Sequence, residues 1–296
     1  MTPRTRRTLS LVLLVLALLA ALGLAAVVSQ RQALLRGTLD GLPKMSLPPR
    51  VPVLGVNADL TQYDDAALAE NLDLIAGVGF VWVRQPFRWA EIELEPGRFE
   101  WAAYDRVVEE AAARDLRLVA VLVDSPGWAA DAPTAPPDDL DAFASFAATL
   151  SERYGETIDV YQVWDEPNLS SGWGGREPSP VRYAALLQAA YEAIHAVDAD
   201  ALVLTAGLAP TVERGPENLS DVLFLRELYA NGAAPFFDGV AGKPYGFDDG
   251  PLERRTHENV LNFSRLVLLR EVMVEHGDAG KPLWASHFGW NALPEG

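Results

Sequence analysis

Two adjacent acids close the run "IDVYQVWDEPNLSSGW", residues 158–173. An Asp-Glu pair is costly to bury, and the proline behind it cannot donate to a sheet ladder, so a strand must stop there. Asp165 and Glu166 are thereby delivered at a strand terminus, where taken alone they read as a solvated strand-to-loop junction. Other apolar runs end the same way. Asn57 follows the first, Arg84 and Trp89 the second, and Asp124 and Trp128 the third. Asn168 and Trp173 join the acids after the fourth, Lys243 and Tyr245 follow the sixth, and His287 and Trp290 the seventh. Ionisable groups and flat indoles gathered on one rim suit the recognition of sugars. Indole faces stack on pyranose C–H surfaces, and fixed donors and acceptors read hydroxyls.

The elements that must position these residues alternate. Short apolar runs predict strands over residues 51–56, 80–83, 116–123, 158–164, 201–205, 239–242 and 282–285. Helical patterns fill the gaps. Asp64 or Asp65 can cap a helix with Leu68, Leu72 and Ile75 on one face, closed by Gly77. Asp138 can cap another with Leu140, Phe143, Ala147 and Leu150. The stripes Tyr183, Leu187, Tyr191, Ile194 and Leu266, Leu269, Met273 are core-facing surfaces. Repeated βα units predict a parallel sheet, either open and doubly wound or closed as a (β/α)₈ barrel. No Gly-x-Gly-x-x-Gly turn follows the first strand and there is no Walker-type loop, which weakens the nucleotide-binding alternative. In both architectures the C-terminal strand ends share one face and build the site.

Composition narrows the partners. The chain has 296 residues, 24 Lys and Arg against 41 Asp and Glu, and no cysteine. Residues 1–37 hold five arginines and no acid, so the remainder is strongly acidic. Such a body repels nucleic acid and anionic membrane surfaces and suits a neutral ligand. Zinc–thiolate and cysteine-nucleophile chemistry are excluded, and the four histidines show no metal-ligand spacing; neither metal nor cofactor is expected.

Residues 9–28 are uncharged, with Ser10 the one polar side chain, and match the roughly 20 residues a helix needs to cross a bilayer. Arg4, Arg6 and Arg7 precede them, which predicts a cytoplasmic N-terminus. The expected organisation is a cytoplasmic basic stub at 1–8, a single-pass signal-anchor at 9–28, a proline-containing linker at 29–50 and an extracytoplasmic domain at 51–296. A cleaved signal peptide and a secreted domain are the alternative.

Four motifs carry a resemblance. "VWDEPNL" resembles the Asn-Glu-Pro motif that ends strand four in clan A glycoside hydrolases, the (β/α)₈ retaining glycosidases, with families 39 and 5 nearest. "FRWAEIELEPGRFEWAAYDRVVEEAAARDLRLVAVL" is similar to their strand-two to strand-three segment, "GVAGKPYG" to the strand-six His-Pro-Tyr stretch, and "KPLWASHFGW" to the strand-seven Trp-x-Thr-Glu-x-Gly-Trp segment. The likeness runs from about residue 51 to 291. It implies a TIM-barrel domain acting on O-glycosidic bonds of a polysaccharide or oligosaccharide outside the cytoplasm.

The resemblance puts Glu166 at the acid/base glutamate, Arg84 at the arginine beside the nucleophile and Tyr245 at the strand-six aromatic. The strand-end positions of Asn57, Asp124, Trp128 and Trp290 make these the other expected sugar contacts. The resemblance also exposes departures: Asp165 stands for asparagine, Lys243 for histidine, and His287 for the nucleophilic glutamate. A retaining mechanism needs a second carboxylate about 5–5.5 Å from the first. Three readings stay open: His287 activates water, Asp124 or Asp165 supplies the carboxylate, or the barrel binds glycan without cleaving it. An Asp165–Lys243 ion pair is expected to neutralise the two new charges. Seven strands are readable where a barrel needs eight, so either another element closes the barrel or the sequence stops short of one.

Overall fold

The computed structural model describes residues 3–34 and 54–290, which form two compact units. The predicted linker from residue 35 onward, the start of the first predicted strand and residues 291–296 lie outside the described residues.

The first unit is helix α1, Pro3–Leu34, which overruns the expected 9–28 span at both ends. Its stretch Arg7–Gln32 is long and apolar enough to cross a membrane or to serve as a signal sequence. The leucines from Leu9 to Leu24 are exposed. A helix apolar all round suits lipid better than water.

The second unit alternates strands and helices. Strand β1, Gly55–Asn57, leads through α2, Asp65–Gly77, to β2, Trp82–Arg88. A short helix α3, Trp89–Ile92, and an antiparallel hairpin, β3 Glu93–Glu95 with β4 Arg98–Phe99, then precede α4, Ala102–Ala112. The series continues through β5, Arg117–Val123, α5, Leu140–Tyr154, β6, Val160–Val163, and α6, Pro180–Val197. It ends with β7, Leu202–Leu204, α7, Asp221–Ala230, β8, Val240–Gly242, α8, Leu266–Glu275, and β9, Leu283–Ala285.

The parallel sheet has the order β1-β2-β5-β6-β7, and β8 pairs with β9. Single parallel bridges, Leu204 to Gly239 and Leu208 to Gly242, join β7 to β8. All seven predicted strands are therefore present in one run; no eighth barrel strand follows β9 among the described residues. The run curls upon itself. Asn57 at the end of β1 donates from Nδ2 to the carbonyl of Ser286 just past β9, at 3.1 Å. Inside the curl the Trp82 and Trp284 rings meet edge to face at 5.5 Å over Val119, Val160 and Leu204. The result is a TIM-barrel-like α/β fold.

The main core lies between strands and helices, where each strand's outward side chains are buried. On β2 Val83, Gln85 and Phe87 are fully buried, while Arg84, Pro86 and Arg88 alternate onto the inner face. The predicted stripes fill the opposite side of that layer: Leu68, Leu72, Phe143, Leu150, Tyr183, Leu187, Leu269 and Met273 are buried, and Ile75, Leu140, Tyr191 and Leu266 pack against them. Burying each of the large ones is worth about 1.5–3 kcal/mol.

Asp64 caps α2 by accepting from the Ala67 amide, and the helix ends at Gly77 as expected, with Gly79 at positive φ beyond it. Local details correct two other expectations. The cap of α5 is Asp139, while Asp138 accepts from Arg182. Strand β2 runs five residues past its expected end at 83. Strand β1 ends opposite Arg84, so the missing N–H of Pro86 falls beyond β1 and costs no ladder bond.

Candidate active site

The chain after β6 is unusually strained. Trp164 and Glu166 both adopt positive φ, 70° and 49°, a conformation that costs a non-glycine residue about 1–3 kcal/mol. Tertiary contacts hold it. The Trp164 indole donates to the Gly172 carbonyl at 2.9 Å, and the Glu166 amide donates to the Gly207 carbonyl at 3.2 Å. Gly172 is required there, because a Cβ would lie 2.3 Å from the Glu166 carbonyl oxygen. Asp165 and Glu166 are thus turned from the strand end into the barrel mouth.

Their carboxylates join a continuous chain of polar and charged groups from four strands. Asn57 Oδ1 accepts from Arg84 Nη1 at 3.1 Å, and Arg84 Nη2 donates to Asp165 Oδ1 at 2.8 Å. Lys243 Nζ donates to Asp165 Oδ2 and to Glu166 Oε1, both at 2.8 Å. Gln162 steadies the centre, accepting from Arg84 Nε at 3.0 Å. The lysine side chain is 4 % exposed and the two carboxylates 29 % each. The expected Asp165–Lys243 pair is formed, and Lys243 also reaches Glu166.

His287 lies past β9 with Nδ1 3.1 Å from the Tyr245 hydroxyl, the rings edge to face. Burial pushes the His287 pKa down, and the Lys243 and Arg84 cations push it further, so the ring is neutral at physiological pH. Burial first, then the Glu166 and Asp165 charges, push the Tyr245 phenol up to about 12.

A second group of charges sits at the β2 and β5 ends. Asp124, also at positive φ, holds Oδ2 3.1 Å from Arg88 Nε, while Arg88 Nη1 donates to Asp59 Oδ2 at 2.8 Å. Burial pushes the Asp124 carboxyl up, Arg88 opposes this, and Glu91 and Asp165 reinforce it. Between the two groups opens a cavity of about 280 Å³ walled by Arg84, Arg88, Asp124, Trp164, Asp165 and Glu166.

The structure thus brings Asn57, Arg84, Asp165, Glu166, Lys243, Tyr245 and His287 together, and places Asp124 on the wall of the cavity that Asp165 and Glu166 also line. Trp128, about one-third exposed, donates to the Glu93 carbonyl at 3.0 Å and meets Trp89 edge-on. Trp290, 41 % exposed, lies over Gly246 and donates to the Asp249 carbonyl at 2.9 Å, away from that cavity. Three residues read onto the rim are buried instead. Trp89 stacks on Phe146, Trp173 packs between Trp164 and Tyr183, and Asn168 ties the carbonyls of Ala209 and Leu219. Sequence reasoning missed Arg88, Asp59 and Gln162. The signal for Arg88 was its even spacing from Arg84 on one strand face. Among the described residues no cluster of carboxylates and histidines could hold a metal ion.

An α/β barrel with a mixed acidic and basic site at its C-terminal strand ends is a frequent enzyme architecture. No protein-family model matches the chain, and no curated protein matches it. Solved structures do. A family 39 glycoside hydrolase from the gut symbiont Bacteroides cellulosilyticus WH2 superposes with TM-score 0.62 and 19 % identity over 80 % of this chain and 49 % of its own. A family 39 enzyme from Xanthomonas axonopodis pv. citri gives 0.61 and 20 %, over 86 % and 53 %. A monomeric beta-xylosidase from Caulobacter crescentus CB15 gives 0.57 and 22 %, over 82 % and 53 %. The chain spans about half the length of these structures. It resembles family 39 glycoside hydrolases and other clan A glycosidases in fold.

Proposed function

We propose that this protein is a glycoside hydrolase-like barrel that binds a saccharide at the C-terminal ends of its strands and acts on O-glycosidic bonds through an altered site centred on Glu166. The observation that carries this reading is the cluster Arg84–Asp165–Lys243–Glu166, formed at the exit of the fourth barrel strand and open to a cavity of monosaccharide size. The family's usual chemistry is impaired in it. A neutral His287 stands where the nucleophilic carboxylate belongs, and Lys243 occupies one oxygen of Glu166. Helix α1 anchors the barrel in a membrane with the saccharide site on the extracytoplasmic side.

That same lysine contact supports a second reading, a barrel that binds glycan without cleaving it. The test is a reducing-sugar release screen beside a glycan array, run on the full chain in a non-glycosidic detergent. Release with binding supports the hydrolase, binding without release the glycan-binding barrel, and neither overturns both. Protease protection of the barrel in sealed vesicles tests the orientation.

A further inference from the structure

Asp124 and Glu166 line the same cavity in different electrostatic settings. Asp165 and Glu166 together meet two cations, Arg84 and Lys243. Asp124 meets the single cation Arg88, whose closest contact is Asp59 at 2.8 Å and which also faces Glu91 at 4.0 Å. One cation is therefore divided among three carboxylates on that side.

We propose that the catalytic roles at this site are exchanged: Asp124 protonates the leaving oxygen, and Glu166 is the carboxylate that attacks the anomeric carbon. This rests on the hydrolase reading above and names the residues that carry it out. Glu166 Oε1 is held by Lys243, which leaves Oε2 to attack. Asp165 cannot take that part, because both its oxygens are engaged by Arg84 and Lys243. His287 is turned to Tyr245.

In the first step Oε2 forms a bond to C1 as the C1–O bond to the leaving group breaks, and that oxygen takes the Asp124 proton. In the second, water gives a proton to the Asp124 carboxylate and its oxygen bonds to C1, and Glu166 departs as carboxylate. No other reactant is required. The raised proton affinity of Asp124, which comes first from burial, fits the acid's part. The charged groups acting on Asp124 are Arg88 on β2, Glu91 on α3 and Asp165 after β6.

The test uses the full chain with phenyl and 2,4-dinitrophenyl glycosides of xylose, glucose, galactose and mannose. Asp124→Asn is expected to lose about 10²–10⁴-fold on phenyl glycosides, the size of a general-acid contribution, and far less on dinitrophenyl glycosides, whose leaving group needs no proton. Glu166→Gln loses both. Glu166→Ala supplied with sodium azide is expected to form the glycosyl azide of inverted configuration, a readout that does not depend on how the Asp124 variant folds. A glycosyl azide of retained configuration, or a leaving-group effect seen for Glu166→Gln instead, overturns the exchange while leaving a hydrolase. Wild-type protein that binds glycan but turns over no substrate in the panel also overturns it and leaves the glycan-binding barrel.

Discussion

Lys243 Nζ lies 2.8 Å from Glu166 Oε1 and at the same distance from Asp165 Oδ2, with the lysine almost wholly buried. One ammonium thus ties together two consecutive carboxylates that would otherwise repel each other at a strand end. The contact spans 77 residues of sequence and links β8 to the loop after β6. It gives the mouth of the barrel its shape as well as its charge.

Replacing Lys243 by Met removes the shared donor while keeping the stem's volume. Asp165 and Glu166 then face Arg84 alone. Because both carboxylates are partly exposed, the expected loss is about 1–3 kcal/mol, the cost of leaving polar groups unsatisfied. Urea unfolding measures it. A variant as stable as wild type would mean that solvent already satisfies the pair.

His287 is expected to be neutral at pH 7, with its ring titrating below 6.5. A histidine whose pKa is lowered by folding binds fewer protons folded than unfolded in that window. Stability therefore rises with pH through the window and is lost on acidification. Imidazole proton shifts followed by NMR give the pKa, and His287→Gln should flatten part of the acid slope. A titration above 6.5 would show that the Asp165 and Glu166 charges outweigh burial and the two cations.

Trp290 lies over Gly246 with no room for a Cβ beneath it and packs on Phe263 at 5.5 Å. If its exposed face stacks on a sugar, Trp290→Ala weakens glycan-array binding by about 1–3 kcal/mol, the size known for base–aromatic stacking. Trp128→Ala is the matched variant. A lowered Tm with unchanged binding would make either residue a loop anchor.

Arg265 and Asp221 form a deeply buried pair, 1 % and 4 % exposed. The guanidinium also donates to the carbonyls of Thr211, Glu258 and Val260. It thereby fastens the loop after β8, which carries Tyr245, to helix α7. Arg265→Met leaves Asp221 buried without its cation and is expected to cost about 3–5 kcal/mol. Burial already pushes the Asp221 carboxyl up, so Arg265→Met with Asp221→Asn should recover part of that loss. Calorimetry of the two variants decides, and equal losses would point to the carbonyl contacts instead.

Much of the barrel was legible in the sequence. Apolar runs bounded by polar turns placed all seven strands, five of them within two or three residues, and the helical stripes identified the layer that packs on them. The charges that replace one another at 165 and 243 foretold their pairing. These are local or compensating signals, carried by residue type and period. What tertiary structure alone decided was non-local. The shortness of β1 lets β2 run through Pro86 and bring Arg88 to the site. Loop packing draws Trp89, Trp173 and Asn168 into the core, though each follows a strand exit as the site residues do. The curl of the sheet brings Lys243 to Glu166 as well as Asp165 and opens the cavity toward Asp124 rather than His287. Spacing along a chain tells at which strand end a side chain emerges, but the partner it meets there depends on register and curvature, which are properties of all the strands together.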